Sequence, residues 1–306
     1  MTSGTGGVAG SGRAGEGSGP FPMGFAEFVV LVGLSMAVSA LSIDIMLVAL
    51  PDIARDFSLT DANDRQFVLT AYLVAYAAGH IVAGPLSDRI GRRPVLLGGL
   101  AVYVAGALAA ALAQSFEILL AARIVQGLGG SGPRVVGIAI VRDRFSGRPM
   151  ARVMSFAMTM FIMVPVIAPS IGSLILFAGP WPLIFWFLVV VGIALAAWIG
   201  LRLPETNPAT VRAGAERIGL ARAFMIVVGE RQTLGYTIAI GFVFSTIITY
   251  IATAQQVFSD VFGVVETLPI FFAIVAACQA GAAFLNANLV ERFGMRRLSH
   301  TALLVS

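Results

Sequence analysis

Lysine is absent from the chain of 306 residues, and all 20 of its basic side chains are arginines. Without lysine the sequence holds neither a phosphate-binding G-x-x-x-x-G-K-[ST] loop nor a residue that could form a retinal Schiff base, which excludes an ATP-driven or a light-driven pump. A single cysteine, Cys278, excludes an intramolecular disulfide and a cysteine-based metal cluster. Two histidines and one cysteine supply no nucleophile–base pair for an intramembrane hydrolase. We therefore expect no enzyme, no catalytic residue, no metal site and no cofactor.

Charged residues are also scarce. They make up 12% of the chain, hydrophobic residues make up 58%, and the mean hydropathy is +0.91. A soluble domain carries about 25% charged residues, and a helix needs about 20 apolar residues to cross a bilayer. Runs of that length lie near residues 25–50, 66–86, 94–114, 117–141, 151–177, 181–201, 233–257 and 267–289, and residues 298–306 resemble the opening of a ninth. The sequence thus predicts an all-α polytopic membrane protein.

The arginines are distributed unevenly between the two sides of the predicted spans. Fifteen of them fall in four connections, whereas the opposite loops hold only Arg55 and Arg65. The four connections are 84–94, 142–152, 202–232 and 290–297. Because cytoplasmic loops carry the excess of basic residues, these connections and the N-terminus are predicted to be cytoplasmic, and the net charge of +4 requires no nucleic-acid partner. Residues 1–22 are rich in glycine and serine and lack the apolar core of a signal peptide, which indicates a disordered cytoplasmic tail.

One short connection combines an acid with three arginines. Residues 84–94, GPLSDRIGRRP, predict a hairpin between the second and third spans, because Gly91 permits a tight turn and Pro94 suits the first turn of a helix. The arginines could serve only to anchor the hairpin at anionic headgroups. Asp88 does not fit that role, since an acid near an anionic surface is unfavourable without a partner, and it is typical of a breakable ion-pair latch. The candidate latch residues are Asp88, Arg89, Gly91, Arg92 and Arg93.

The hairpin pattern recurs 203 residues later in the chain. Leu289, Glu291, Arg292, Gly294 and Arg296 repeat Leu86, Asp88, Arg89, Gly91 and Arg93. Six predicted spans separate the two copies, which indicates two six-helix repeats in parallel orientation. With that offset Ser306 corresponds to Tyr103, so we expect a complete N-terminal six-helix bundle and an incomplete C-terminal bundle that stops early in the ninth helix. The expected segments are the tail 1–22, the N-terminal bundle 23–203, a cytoplasmic linker 204–230 and a partial C-terminal bundle 231–306.

Several motifs, in the expected order, resemble those of a known transporter family. GPLSDRIGRRP is similar to the signature loop of the major facilitator superfamily, and LLAARIVQGLGG at 119–130 resembles the Arg-x-x-Gln-Gly motif in the fourth helix of its drug:proton antiporters. IDIMLVALPDIARDF at 43–57 resembles the Asp-to-Pro motif of the first helix in that branch. VPVIAPSIGS at 164–173 resembles the antiporter motif of the fifth helix, with Ala168 and Ser173 in place of its usual glycines. Together with LPETN after the sixth span, these motifs are most similar to the Bcr/CflA multidrug efflux subfamily.

The resemblance implies a major facilitator fold in the inner (cytoplasmic) membrane. The implied activity is proton-coupled efflux (antiport) of drugs or other small amphipathic molecules by alternating access. The implied partners are a small-molecule drug or metabolite, protons and the lipid bilayer, and the implied assembly state is a monomer. A proton-coupled nutrient symporter of the same fold and a non-transporting, truncated membrane remnant are the alternatives. The motif of the fifth span favours the antiporter over the symporter.

Two ionisable residues lie at matching depth within the predicted spans. Asp44 is six residues before residue 50, the outer end of the first span, and Arg123 is six residues after Glu117, the outer start of the fourth. At 1.5 Å per residue both lie about 9 Å below the outer boundary. Burial favours a neutral carboxyl group and a nearby arginine favours a charged one, so Asp44 could load and release a proton under the influence of Arg123. The alternative is a static ion pair that fixes the packing of the two spans.

The remaining candidates belong to a substrate cavity and a helix bend. Ionisable residues within spans are functional candidates by default, which singles out Arg134 and also His80, although packing is the simpler interpretation for the histidine. Gln126 lies beside Arg123 in sequence and could bind either substrate or only a neighbouring helix. The candidate cavity residues are Gln126, Arg134, Phe161 and Tyr250. The candidate bend residues are Pro165, Pro169 and Gly172, because proline interrupts the hydrogen bonds of a helix.

Overall fold

The computed structural model describes residues 23–61, 63–207 and 228–257, together with single positions at 222, 225, 274, 278 and 281. Over these residues the chain is helical and contains no strand. The first span consists of α1 (Phe25–Asp44), a 3₁₀ segment (Ile45–Ala49) and α2 (Leu50–Asp56). The helices that follow are α3 (Phe67–Ile90), α4 (Arg92–Ala111), α5 (Phe116–Arg144), α6 (Gly147–Ala178), α7 (Pro182–Arg202) and α8 (Arg231–Gln256).

Most of these helices could cross a membrane. Five stretches are long and apolar enough: Phe25–Asp56, Asp64–Ile90, Arg92–Ala111, Phe116–Arg144 and Pro182–Arg202. α6 becomes a sixth when the parts on either side of its 42° bend are taken as one span. The prediction of an all-α polytopic membrane protein is therefore confirmed. α8 lies at the position of the predicted seventh span, whereas the predicted tail and the predicted eighth and ninth spans lie outside the described residues, apart from three single positions.

The boundaries of the central helices follow from local chemistry. A single residue, Gly91, separates α3 from α4, and its φ of 114° is a backbone conformation that favours glycine. The amide of Gly91 donates to the carbonyl of Ser87 at 3.1 Å and so closes the last turn of α3. At the start of α5, the Ser115 hydroxyl oxygen accepts a hydrogen bond from the amide of Ile118 at 3.4 Å. The turn at Gly91 thus sets where α3 ends and α4 begins, and the cap at Ser115 sets where α5 begins.

α5 lies at the centre of the described bundle and contacts α1, α3 and α4. A Cβ atom on Gly127 would lie 2.4 Å from the carbonyl oxygen of Tyr72 on α3. A Cβ atom on Gly129 would lie 2.2 Å from the backbone nitrogen of Tyr103 on α4. These distances are too short for any side chain, so the backbones of the three helices pack in direct contact. The glycines of α5 thereby bring its polar residues against both neighbouring helices.

Replacing Gly129 with alanine tests this close packing. We expect Gly129→Ala to lower the free energy of unfolding by about 1–3 kcal/mol, because the new methyl group would overlap backbone atoms of α4. Thermal unfolding of the detergent-purified protein measures the change. Gly98→Ala on α4 is the matched control, since no atom of the described residues lies within 4 Å of a Cβ atom there. Equal melting temperatures for the two variants would contradict the packing.

Candidate functional site

The guanidinium group of Arg123 on α5 is completely buried in the bundle. Its Nε donates to the carbonyl of Val68 on α3 at 3.1 Å, and its Nη2 donates to the carbonyl of Ser42 on α1 at 3.3 Å. Its Nη1 donates to Oε1 of Gln126 at 2.7 Å. The ring centroid of Tyr72 lies 4.4 Å from the guanidinium carbon, in cation–π contact. Arg123 therefore connects α1, α3 and α5 through one charged group.

Serines of α1 extend this polar centre to α4 and α5. The hydroxyl of Ser42 donates to the carbonyl of Val38 at 2.9 Å, so the hydroxyl of Tyr103 on α4 is the donor in its 2.6 Å bond to Ser42. The hydroxyl of Ser39 donates to the carbonyl of Gly130 on α5 at 2.9 Å. Four helices are thus joined by hydrogen bonds around one buried cation. Such bonds fix the positions of the helices along their axes, because sliding one helix past another would separate each donor from its acceptor.

Asp44 is the last residue of α1 and comes directly before the 3₁₀ segment. It is only 4% exposed. Among the described residues, no arginine lies within 4.0 Å of its carboxylate and no hydrogen bond reaches it. The static ion pair with Arg123 is therefore wrong for this conformation, because Val68, Ser42 and Gln126 take the donors of the arginine instead. The contact at Ser42, two residues before Asp44, agrees with the equal depth predicted for the acid and the arginine.

α6 packs against the segment that follows Asp44. Pro165 and Pro169 both lie inside α6, which bends by 42° directly after Pro165. A Cβ atom on Gly172 would lie 2.9 Å from the carbonyl oxygen of Ile45 in the 3₁₀ segment. The backbone of α6 beyond the bend therefore lies directly against the first span. The bend and the buried acid belong to one contact region.

An apolar cavity of about 340 Å³ lies between α1 and α6. Leu34, Ala37 and Leu41 line it from α1, and Met160, Met163 and neighbouring aliphatic residues line it from α6. Of the predicted cavity residues, Gln126, Arg134 and Phe161 do not line this cavity, and the side chain of Tyr250 lies outside the described residues. Gln126 lies away from it, because its side chain is completely buried and accepts a hydrogen bond from Arg123. The assignment of these residues to a substrate cavity stays a prediction.

Two of the predicted cavity residues meet each other instead. The guanidinium carbon of Arg134 on α5 lies 4.3 Å from the ring centroid of Phe161 on α6. Both residues are half-buried. On the other side, the ring of His80 on α3 packs edge-on against Tyr76 with centroids 4.2 Å apart. A second group of cationic and aromatic side chains thus lies on α3, α5 and α6, apart from the apolar cavity.

The predicted latch residues form a network where α3 meets α4. The guanidinium of Arg92 donates to the carboxylate of Asp88, to the hydroxyl of Ser87 at 2.7 Å and to Asp143 at the end of α5 at 2.9 Å. Arg89 is exposed. The structure therefore brings Asp88 and Arg92 together, as the latch hypothesis requires, and adds Asp143 as a second acid. The function of the network as a latch stays a prediction.

Glu205, which follows α7, binds the same hairpin. The first two amides of α4, those of Arg92 and Arg93, donate to its carboxylate oxygens at 2.9 and 3.2 Å. Amides in the first turn of a helix have no intrahelical acceptor, and a negative charge there is favoured by the helix dipole. The amide of Asn207 also donates to Glu205 at 2.8 Å, and the guanidinium of Arg93 donates to the carbonyl of Gly200. Hydrogen bonds therefore hold the segment after α7 against the turn between α3 and α4.

Truncation of Glu205 tests this cap. We expect Glu205→Ala to lower the free energy of unfolding by about 1 kcal/mol, because two amides of α4 lose their acceptor. Glu205→Gln keeps one carbonyl oxygen and should fall between alanine and the parent. The measurement is chemical or thermal unfolding in detergent. A parent-like midpoint for Glu205→Ala would mean that the carboxylate does not cap α4.

Sequence reasoning missed several residues of these networks. Ser42, Tyr72 and Tyr103 carry no charge and read as ordinary span residues, although serines at 35, 39 and 42 have the spacing of one helix face. Glu205 entered only as part of LPETN, and its position just after a span was the available signal. Their partners lie on other helices, far away in sequence.

These features define a helical membrane protein that keeps charged groups in its interior. Residues 32–306 match the family model of the Major Facilitator Superfamily. The chain belongs to this superfamily, whose members are transporters rather than enzymes. The predicted family is confirmed.

Named relatives agree with the predicted subfamily. The chain is 29% identical over 279 residues to a bicyclomycin resistance protein homolog of Haemophilus influenzae, covering 91% of this chain and 70% of the relative. It is 32% identical over 266 residues to the uncharacterized MFS-type transporter YdgK of Bacillus subtilis, covering 86% of this chain and 65% of the relative. It is 32% identical over 221 residues to the multidrug resistance protein MdtL of Shigella dysenteriae, covering 72% and 55%. The chain thus spans between 55% and 70% of the length of these relatives.

Solved structures share the fold at lower sequence identity. A bacterial homolog of the human lysosomal transporter Spinster, in an inward-facing and occupied conformation, superposes with a TM-score of 0.69 at 21% identity, covering 92% of this chain and 63% of that chain. The xylose transporter XylE from E. coli, in a partially occluded inward-open conformation, gives 0.68 at 14% identity, covering 89% and 72%. These similarities establish the major facilitator fold.

Proposed function

We propose that the chain carries out proton-coupled efflux (antiport) of drugs or other small amphipathic molecules by alternating access across the inner membrane. The observation that carries this proposal is Asp44, a buried carboxyl group in the first span with no cationic partner among the described residues. The names of two relatives, which refer to bicyclomycin resistance and multidrug resistance, support the class of substrate. The antiporter-like motif of the fifth span supports the direction of transport.

The surroundings of Asp44 suit a group that binds and releases a proton. An ionised carboxylate without a partner is costly in an apolar interior, so a proton on Asp44 stabilises the conformation described above. When the helices move and water reaches the site, the same carboxyl group can release the proton. Asp44 lies where α1 ends and the 3₁₀ segment begins, a junction that can change with little loss of hydrogen bonding. Arg123 acts in this proposal by holding α1 at the correct height, through the carbonyl of Ser42.

The hairpin network is the proposed latch of the transport cycle. Arg92 bridges Asp88 of α3 and Asp143 of α5, and Glu205 ties the exit of α7 to the same turn. The side chain of Asp88 is 63% exposed, whereas those of Arg92 and Asp143 are 11% and 23% exposed. An ion pair with a solvent-exposed partner contributes little free energy, so the pair between Asp88 and Arg92 can open and close at low cost. In the proposed cycle this network stabilises one of the two alternating states.

Substitution of Asp44 tests the coupling. Adding bicyclomycin, and then a panel of amphipathic drugs, to purified protein in weakly buffered solution should release protons if drug and proton compete. Asp44→Asn should reduce the release to the level of protein-free buffer while drug binding stays measurable, because the amide cannot carry the exchanged proton. Asp52→Asn is the matched control, since that carboxylate lies in the same span but pairs with the exposed Arg55. Proton release that persists in Asp44→Asn would exclude Asp44, and the absence of release from the parent would overturn the antiport proposal.

The direction of proton movement separates antiport from nutrient symport. In everted vesicles with an acidic lumen, an antiporter that takes up drug from outside should make the lumen less acidic. A symporter driven by the same gradient would leave the lumen unchanged under these conditions, since its substrate is absent from the lumen. A pH-sensitive dye inside the vesicles reports the difference.

We also propose that the N-terminus is cytoplasmic, because the arginine-rich connections then lie inside. In a Cys278→Ser background, cysteine introduced at the exposed positions Arg89 and Asp61 should label from opposite sides. An impermeant maleimide added to intact cells should modify Asp61→Cys only, and Arg89→Cys should react only after permeabilisation. The opposite labelling pattern would reverse the topology.

A further inference from the structure

Arg123 and Arg134 are the two arginines deep within the described spans, and they differ in their partners. Arg134 lies ten residues before the end of α5 and eighteen residues after its start, well within the helix. No hydrogen bond or ion pair is formed by its guanidinium among the described residues, and its contact is the ring of Phe161. A cation–π contact offsets only part of the free energy of holding a charge within a membrane. An unpaired cation at this depth indicates a group that faces a polar ligand.

The other deep arginine shows the contrast. Arg123 is completely buried, and hydrogen bonds to three acceptors satisfy it. Arg134 is half-buried, so a ligand can reach it, and none of its planar donors has an acceptor among the described residues. Arg123 therefore has a structural explanation within the bundle that Arg134 lacks.

The neighbours of Arg134 add aromatic surface and a further donor. His80 lies ten residues before the end of α3, as Arg134 does before the end of α5. The two helices are in close contact at this level, since a Cβ atom on Gly79 would lie 2.3 Å from the hydroxyl oxygen of Ser131. The Nδ1 of His80 donates to the carbonyl of Tyr76 at 2.7 Å, which fixes the orientation of the imidazole ring. The hydroxyl of Tyr76 is buried, and no described residue forms a hydrogen bond with it. We refer to Tyr76, His80, Arg134 and Phe161 as the Arg134 cluster.

We propose that the Arg134 cluster binds the carboxylate group of an aromatic, amphipathic substrate. The guanidinium fork matches a carboxylate with two parallel hydrogen bonds, and a partly dry site strengthens them. The aromatic part of the substrate then packs beside the rings of Phe161 and His80, whose positions the helices fix. This inference rests on the proposed function, since it names the chemical class of the exported molecule.

A matched pair of probes tests the inference by binding alone. The probes are 1-naphthylacetic acid and its neutral amide, 1-naphthylacetamide, which differ in the charge of one group. With the full chain in lipid nanodiscs, we expect the acid to bind at least about tenfold more tightly than the amide, because only the acid forms the charge-assisted pair. Arg134→Gln should remove this preference while leaving the affinity for the amide nearly unchanged, which also shows that the variant is folded. Arg134→Lys should keep part of the preference, since it retains the charge but not the fork.

A second arginine provides the control. Arg152 on α6 lies over the rings of Phe25 and Phe156 at 5.5 and 6.0 Å, outside the Arg134 cluster. Arg152→Gln should keep the full preference for the acid. Equal binding of acid and amide by the parent, an unchanged preference in Arg134→Gln, or no binding of either probe would overturn the inference.

The outcome is independent of the coupling experiment. Preference for the acid together with no drug-induced proton release would support the Arg134 cluster and overturn the antiport proposal. Proton release that depends on Asp44, together with equal binding of the two probes, would support antiport and overturn the carboxylate site.

Discussion

A guanidinium group removed from both water and lipid must be surrounded by acceptors, and this requirement of Arg123 organises the described bundle. One acceptor is the carbonyl of Ser42, which lies among the last four residues of α1. Those carbonyls lie where α1 passes into the 3₁₀ segment, and a carbonyl oxygen has two lone pairs, so the carbonyl of Ser42 can accept from the guanidinium there. The glycines of α5 supply the other condition, because they let α3 and α4 approach closely enough to enclose the side chain. The helix ending and the glycine packing therefore serve the same buried charge.

The features that the sequence predicts well are local ones. The spans follow from runs of apolar residues, the break between α3 and α4 follows from Gly91, and the bend of α6 follows from its two prolines. Each of these depends on residues within one or two turns of chain. The pairing of Asp88 with Arg92 belongs to the same group, since four residues separate them on a continuous stretch. Physical rules that act over short distances are sufficient for all of them.

Contacts between helices cannot be predicted from such short-range rules. Equal depth suggested an ion pair between Asp44 and Arg123, but depth does not determine the rotation of a helix, and carbonyl groups that no sequence pattern marks compete for the same donors. Glu205 caps α4 from more than 100 residues away, as its separation of 113 from Arg92 shows. The meeting of Arg134 with Phe161 likewise depends on how α5 and α6 are turned. These arrangements depend on how all the helices pack together. No short stretch of the sequence determines that packing by itself.

Asp44 and Arg134, which have no hydrogen-bonding or ionic partner among the described residues, lie near contacts on opposite sides of the bend in α6. Phe161, which contacts Arg134, comes before the bend, and Gly172, which packs on the segment after Asp44, comes beyond it. Eleven residues separate these two contact points, about 16 Å along a helix. If the proposed function is correct, drug and proton can compete without sharing a binding site. A change in the bend after Pro165 would move one contact relative to the other, so that loading one site alters the geometry of the second. Competition through a bent helix requires only that the two conformations differ in affinity for each ligand.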